Sequence, residues 1–325
     1  MREIAFIKQN KEKWLEFEQA IFGKAKKNPD ELASLYIQLV NDLAFAQTYY
    51  PKSKAVIYLN NLAARTYQLI YKTKRHEKNR ILSFFTTDVP LTVYTNRRYV
   101  LYAFALFGFF LFIGVFCAVK ESDFLRLVVG DGYVEETLQN IKKGNPVAIY
   151  KSGSDWGSAI GITLNNLEVG IKEFILGITG GVGTAYVLFQ NTIMLGAFQY
   201  FFYEHGVFGK SVRGIWLHGA MEIFGMVIEA AAGFVIGASV LFPKTYSRLV
   251  SLKHGFKNGL IIWFSTIPFT IFAGTIEGFV TRYALEMPLV LNIFIILSTL
   301  LLISWYYLIY PKRVYNRVMN NQSKQ

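Results

Sequence analysis

His218, Glu222 and Glu229 share one apolar stretch and are the residues of this chain best placed to do chemistry. His218 and Glu222 are four residues apart, so a helix sets them on one face, within reach of each other or of a common ligand. Glu229 follows seven residues later, near the same face and about 10 Å along the axis. The stretch that carries them, Gly214 to Phe242, is otherwise apolar or small, and its length suits a bilayer crossing. An ionisable group in hydrocarbon is costly and must turn toward a partner helix or a wet cavity. Two roles are therefore open: a polar site inside a bundle, or the hydrogen bonding that fixes the bundle's packing.

Other polar groups sit in apolar surroundings. Glu277 lies near one end of a later apolar segment and is expected to shape a polar internal joint with His218, Glu222 and Glu229, while Asn165, Asn166 and Glu168 cluster in an earlier segment. One imidazole and two carboxylates could serve zinc or iron in principle. The string His218-Gly-Ala-Met-Glu222 nevertheless lacks the adjacent glutamate and second histidine of the H-E-x-x-H zinc peptidases. Packing-specific hydrogen bonds are the expected role, ahead of a protonatable pair used in transport and ahead of metal binding. No metal, cofactor or catalytic residue is expected. Asn165 and Asn166 are read in the same way, as bridges between neighbouring helices.

The elements that position these groups are membrane helices. Of 325 residues, 53% are hydrophobic, mean hydropathy is +0.30, and Phe and Tyr number 28 and 20. Tyr99–Val119, Gly180–Phe202 and Pro288–Tyr310 are uncharged runs. Gly214–Phe242 and Asn258–Tyr283 are long with embedded ionisable groups. Ser158–Gly177, with Glu168, Lys172 and Glu173, is the weakest span. Counting it gives six. Six spans place the basic link of Lys244, Arg248, Lys253 and Lys257 and the residues Lys312, Arg313 and Arg317 on the same side as the basic amino-terminal region, as the positive-inside rule prefers. The small residues Gly177, Gly181 and Gly183, then Gly225, Gly233 and Gly237, then Gly274 and Gly278 are expected to let helices approach closely. No G-x-G-x-x-G nucleotide loop is formed, because Gly181 and Gly183 lead into an apolar helix at Tyr186.

The net charge of +12 is concentrated near the start: residues 52–98 hold ten basic and two acidic residues. Beside a first span this implies cytoplasmic retention and attraction to anionic lipid, in preference to nucleic acid. Met1 to Lys27 is charged and has no signal-peptide core. A lone cysteine, Cys117, excludes an intrachain disulfide. In the first 95 residues, Trp14, Leu15, Phe17 and Phe22, then Leu32, Leu35, Tyr36, Leu39, Leu43 and Phe45, offer apolar faces to a small helical core. The expected fold is all-α. A cytoplasmic helical domain (1–95) precedes a transmembrane bundle (96–311) with an external connection (120–157), and a cytoplasmic tail (312–325) follows.

Taken in order between Phe85 and Tyr310, several small groups of residues resemble the stage II sporulation protein M family of integral membrane proteins. They are Asn165–Asn166, Phe174 and Gly177; Gly181, Gly183, Asn191 and Gly196; His218–Gly219 with Glu222; and Gly274, Glu277 and Gly278. The basic amino-terminal region is similar to that of the broader, non-sporulation branch. The resemblance implies a scaffold or assembly factor in the bacterial cytoplasmic (inner) membrane, with both termini cytoplasmic, that gathers cell-envelope proteins without cutting peptidoglycan. Expected partners are membrane lipids, envelope or cytoplasmic proteins, and a second copy through glycine-lined faces. A transporter of a small solute, lipid or protons is the alternative, and an intramembrane hydrolase a lower one.

Overall fold

The computed structural model describes residues 2–22, 29–72, 79–146, 148 and 155–322. Residues 149–154 of the connection, where Lys151 begins a sequence-predicted turn, and the last three residues of the tail lie outside them. Two compact units divide the chain, Met1–Lys78 and Asn79–Gln325. Among the described residues both are helical, without strands.

The first unit contains α1 (Glu3–Phe22), α2 (Pro29–Tyr49) and α3 (Lys54–Lys72). Each buries one stripe at helical spacing: Phe6, Trp14 and Phe17; Leu39, Leu43 and Ala46; Leu59, Leu62, Ala63 and Thr66. Leu15 departs from the expectation of burial and is 44% exposed. It lies one residue, about 100° of helix, from Trp14, and the buried face continues at Phe17 instead. Trp14 keeps its indole satisfied by donating to Asp42 Oδ2 at 2.9 Å. Ser53 Oγ accepts from the Ala55 N–H at 3.0 Å and so caps the start of α3.

The second unit opens with α4 (Arg80–Ser83), a π-helical turn (Phe84–Asp88) and α5 (Val89–Thr95). The helices α6 (Arg97–Lys120), α7 (Phe124–Val129), α8 (Asp131–Lys142), α9 (Asp155–Ile175), α10 (Val182–Glu204), α11 (Phe208–Leu241) and α12 (Arg248–Phe279) follow. The chain closes with α13 (Leu289–Ser304), a π-helical turn (Trp305–Ile309) and α14 (Tyr310–Gln322). Four helical stretches are long and apolar enough to cross a membrane: α6, α11, α12 and Leu289–Asn321. The helices α9 and α10 have 21 and 23 residues. Their faces are diluted by Asn165, Asn166 and Glu168, and by Gln190, Asn191 and Gln199.

Burial ranks these helices. The most apolar stretch of α11 is 67% buried, against 17% for both α6 and Leu289–Asn321. α11 is therefore the axis of the unit, with α6, α9, α10, α12 and α13 packed around it. The outer helices turn Phe109, Phe112, Phe294 and Leu301 outward, which in a membrane means toward lipid.

A tight hairpin joins α9 to α10. After a 3-10 turn (Leu176–Thr179), Gly180 and Gly181 adopt φ of +75° and +89°, conformations that an L side chain resists. Thr179 Oγ1 accepts from the Gly183 N–H at 2.8 Å, and Thr184 Oγ1 donates to the Glu173 carbonyl at 2.7 Å. The hairpin lies directly on α11. A Cβ at Gly177 would overlap the Gly233 backbone, and one at Gly237 would come within 2.5 Å of the Gly181 nitrogen. Small residues here permit backbone-to-backbone packing. Gly225 is different, because a Cβ there would meet nothing within 4 Å.

Candidate functional site

α11 presents His218 and Glu222 on one face, and α12 brings Glu277 to them from the opposite chain direction. One ligand atom from each of the three lies within 4.8 Å of the others. His218 and Glu277 are 3% and 5% exposed. Their facing atoms, Nε2 and Oε2, are 3.6 Å apart, too far for a hydrogen bond. Glu222 Oε1 and Glu277 Oε2 are buried without a hydrogen-bond partner among the described residues.

His218 is oriented by Thr281, which follows α12 in a 3-10 turn (Thr281–Tyr283). The imidazole Nδ1 and Thr281 Oγ1 are 3.0 Å apart, and the same hydroxyl donates to the Ile276 carbonyl at 3.4 Å. In the tautomer that carries its proton on Nδ1, the hydroxyl keeps its own proton on the carbonyl and its oxygen accepts from Nδ1–H. That tautomer has its lone pair on Nε2, facing Glu277.

These side chains line one end of a cavity of about 560 Å³. Asn165 and Asn166 of α9 line it too, so the sequence-predicted asparagines do meet the His/Glu pair there. Val128 and Val129 of α7 and Tyr133 of α8 form another part of the wall. Leu125 and Val134 hold those two short helices to Ala197, Phe201 and Phe202 of α10. Arg126 ties their junction by donating to Asp131 at 3.2 Å and Glu135 at 2.7 Å.

Two predicted site residues lie elsewhere. Glu229 is deeper along α11, accepts from Thr266 Oγ1 at 2.6 Å and packs against Gly170 of α9, where a Cβ would overlap its carboxylate. Glu168 is on the outer face of α9, paired with Lys172 at 2.6 Å. The expectations also missed Thr281, Thr266 and Glu173. Glu173 is fully buried, and neither of its carboxylate oxygens has a hydrogen-bond partner among the described residues. A signal for it was present. Gly170, Phe174 and Gly177 flank it at helical spacing as a small or apolar face, while Glu168 and Lys172 mark the opposite one.

The arrangement suits holding a proton or a cation between inward-facing oxygen and nitrogen atoms at the edge of a cavity. Among the described residues, His218, Glu222 and Glu277 are the group of three that could ligate a metal.

Comparison with known proteins accords with this architecture. The family model described as stage II sporulation protein M matches residues 103–282, from α6 through the Thr281 turn. A second model, described as a domain of unknown function (DUF8413), matches residues 4–72, the three-helix unit. No curated protein and no solved structure matches the chain. The first match takes in more than half of the sequence and every residue of the cavity's polar end: the chain belongs to the stage II sporulation protein M family.

Proposed function

We propose that this membrane protein is a scaffold or assembly factor for cell-envelope complexes in the bacterial cytoplasmic membrane. It spans the membrane six times and keeps both termini in the cytoplasm. The observation that carries the reading is the first unit, which has its own aromatic core yet leaves Ile37, Ile57 and Tyr67 exposed at 62%, 65% and 48%. In this reading these large apolar groups outside the core are contact points that a protein partner covers. Membership of the stage II sporulation protein M family fits a membrane-associated role.

Six crossings follow from adding α9 and α10 to the four apolar stretches. Both pack on α11, and the Glu168–Lys172 pair lowers the cost of charge on α9. The basic residues Lys244, Arg248, Lys253, Lys257, Lys312, Arg313 and Arg317 then lie on the cytoplasmic side. Lipids and envelope or cytoplasmic proteins are the partners of this reading, and the glycine faces within the bundle are consumed by its own helices.

The test is capture of envelope proteins by the full chain in mild detergent, beside flux measured in reconstituted vesicles. A scaffold keeps its partners in E222Q and H218A and loses them when Ile37, Ile57 and Tyr67 are all changed to Ser. Capture that survives the triple change overturns this reading. Transport of protons or a small solute is the second reading, favoured by the buried acids Glu229 and Glu173 beyond the cavity. Flux abolished by E229Q in a chain that remains folded and inserted would establish it.

A further inference from the structure

We propose that His218, Glu222 and Glu277 bind a divalent first-row transition cation, for which zinc(II) is the natural probe. The proposal is independent of whether the protein scaffolds or transports. Three observations meet at one place. The first is the ligand set: one imidazole nitrogen and two carboxylate oxygens within 4.8 Å of one another. Metal–ligand distances of about 2.0–2.2 Å need donors slightly closer than that, a change that rotation of two glutamate side chains supplies.

The second is the direction of the His218 ring. Thr281 Oγ1 anchors Nδ1 at 3.0 Å, which turns Nε2 toward Glu277 Oε2 across 3.6 Å and presents it as a ligand atom in the Nδ1–H tautomer. A cation seated between these two sheltered atoms would be held by both. The Thr281 hydroxyl is the outer hydrogen-bond partner that metal-bound histidines generally have. The third is the space beside them. The buried Glu222 Oε1 and Glu277 Oε2 have no hydrogen-bond partner among the described residues, and both residues border a cavity of about 560 Å³ that Asn165 and Asn166 also line. On binding, a divalent cation would displace any carboxyl protons, and the two carboxylates with a neutral imidazole would then balance its charge. A fourth position toward the cavity would stay open for water or a further ligand, as three-ligand zinc sites have it.

The experiment uses the full chain in detergent or nanodiscs, stripped with chelator and titrated with zinc(II). Wild type is expected to bind one equivalent. H218Q, E222Q and E277Q are neutral, near-isosteric replacements that should leave the bundle assembled, and each is expected to weaken binding by more than about tenfold. Thr281→Val, which leaves all three ligands in place, is expected to weaken it by about tenfold. E229Q should leave it unchanged. X-ray absorption of the zinc-loaded wild type requires no variant and should show a nitrogen and oxygen shell with an imidazole signature. Zinc bound at less than one equivalent, affinity unchanged in all three ligand variants, or a metal shell without imidazole overturns the proposal.

Discussion

The two halves of α11 are built on opposite rules. Toward its start, His218 and Glu222 border open volume, and their neighbours on α9 and α12 are polar side chains. Toward its end, Gly233 and Gly237 lie against the backbone of the α9–α10 hairpin with no room for even a methyl group. One helix therefore combines a loose polar half with a tight half made of main chain. Tight packing can hold the loose half in register, because a buried polar joint by itself contributes little net stability.

Breaking the tight half should have the largest effect. Gly233→Leu forces a branched side chain into the Glu173 carbonyl and Thr184. It is expected to cost about 3 kcal/mol or more, or to prevent folding. Reversible unfolding in mixed micelles measures this, and near-wild-type stability would contradict the packing described. Removing the hydroxyl that serves Glu229, with Thr266→Val, should cost less, about 1–3 kcal/mol, because it leaves one buried oxygen without its donor. The same unfolding assay reads it. Gly225→Ala should have the smallest effect, neutral or stabilising by up to about 1 kcal/mol, since a Cβ there touches nothing and alanine favours the helix. A marked loss would mean that the space beside Gly225 is filled by something other than this chain.

The placement of α11 in the membrane, and the pairing of His218 with Glu222, were legible because both are properties of one helix: length, apolarity and a four-residue interval. That Glu277 and not Glu229 is the acid beside His218 was not, because Glu277 comes from α12 and a single sequence carries no distance between separate helices. The separation of Glu168 from Glu173 was partly legible. Five residues apart on a helix they point to different sides, and the small residues flanking Glu173 mark its side as the inner one. Treating every charge on that segment as a mark against a crossing obscured the difference. The contrast between Gly225 and Gly233 had no local signal, since both sit among equally apolar neighbours and only the hairpin's position distinguishes them.

The 34 residues of α11 amount to about 51 Å of helix. A hydrocarbon slab of about 30 Å, crossed at the usual tilt of about 20°, takes up only some 32 Å of that. Roughly three turns must therefore project past the lipid tails. His218 stands ten residues into the helix, about 15 Å from its start. If those turns project at that end, beside Lys210 and Arg213, the imidazole would come level with the headgroups while Glu229 would stay within the oily layer. A hydrated ion could then reach His218 from the aqueous face without ever entering the bilayer's interior.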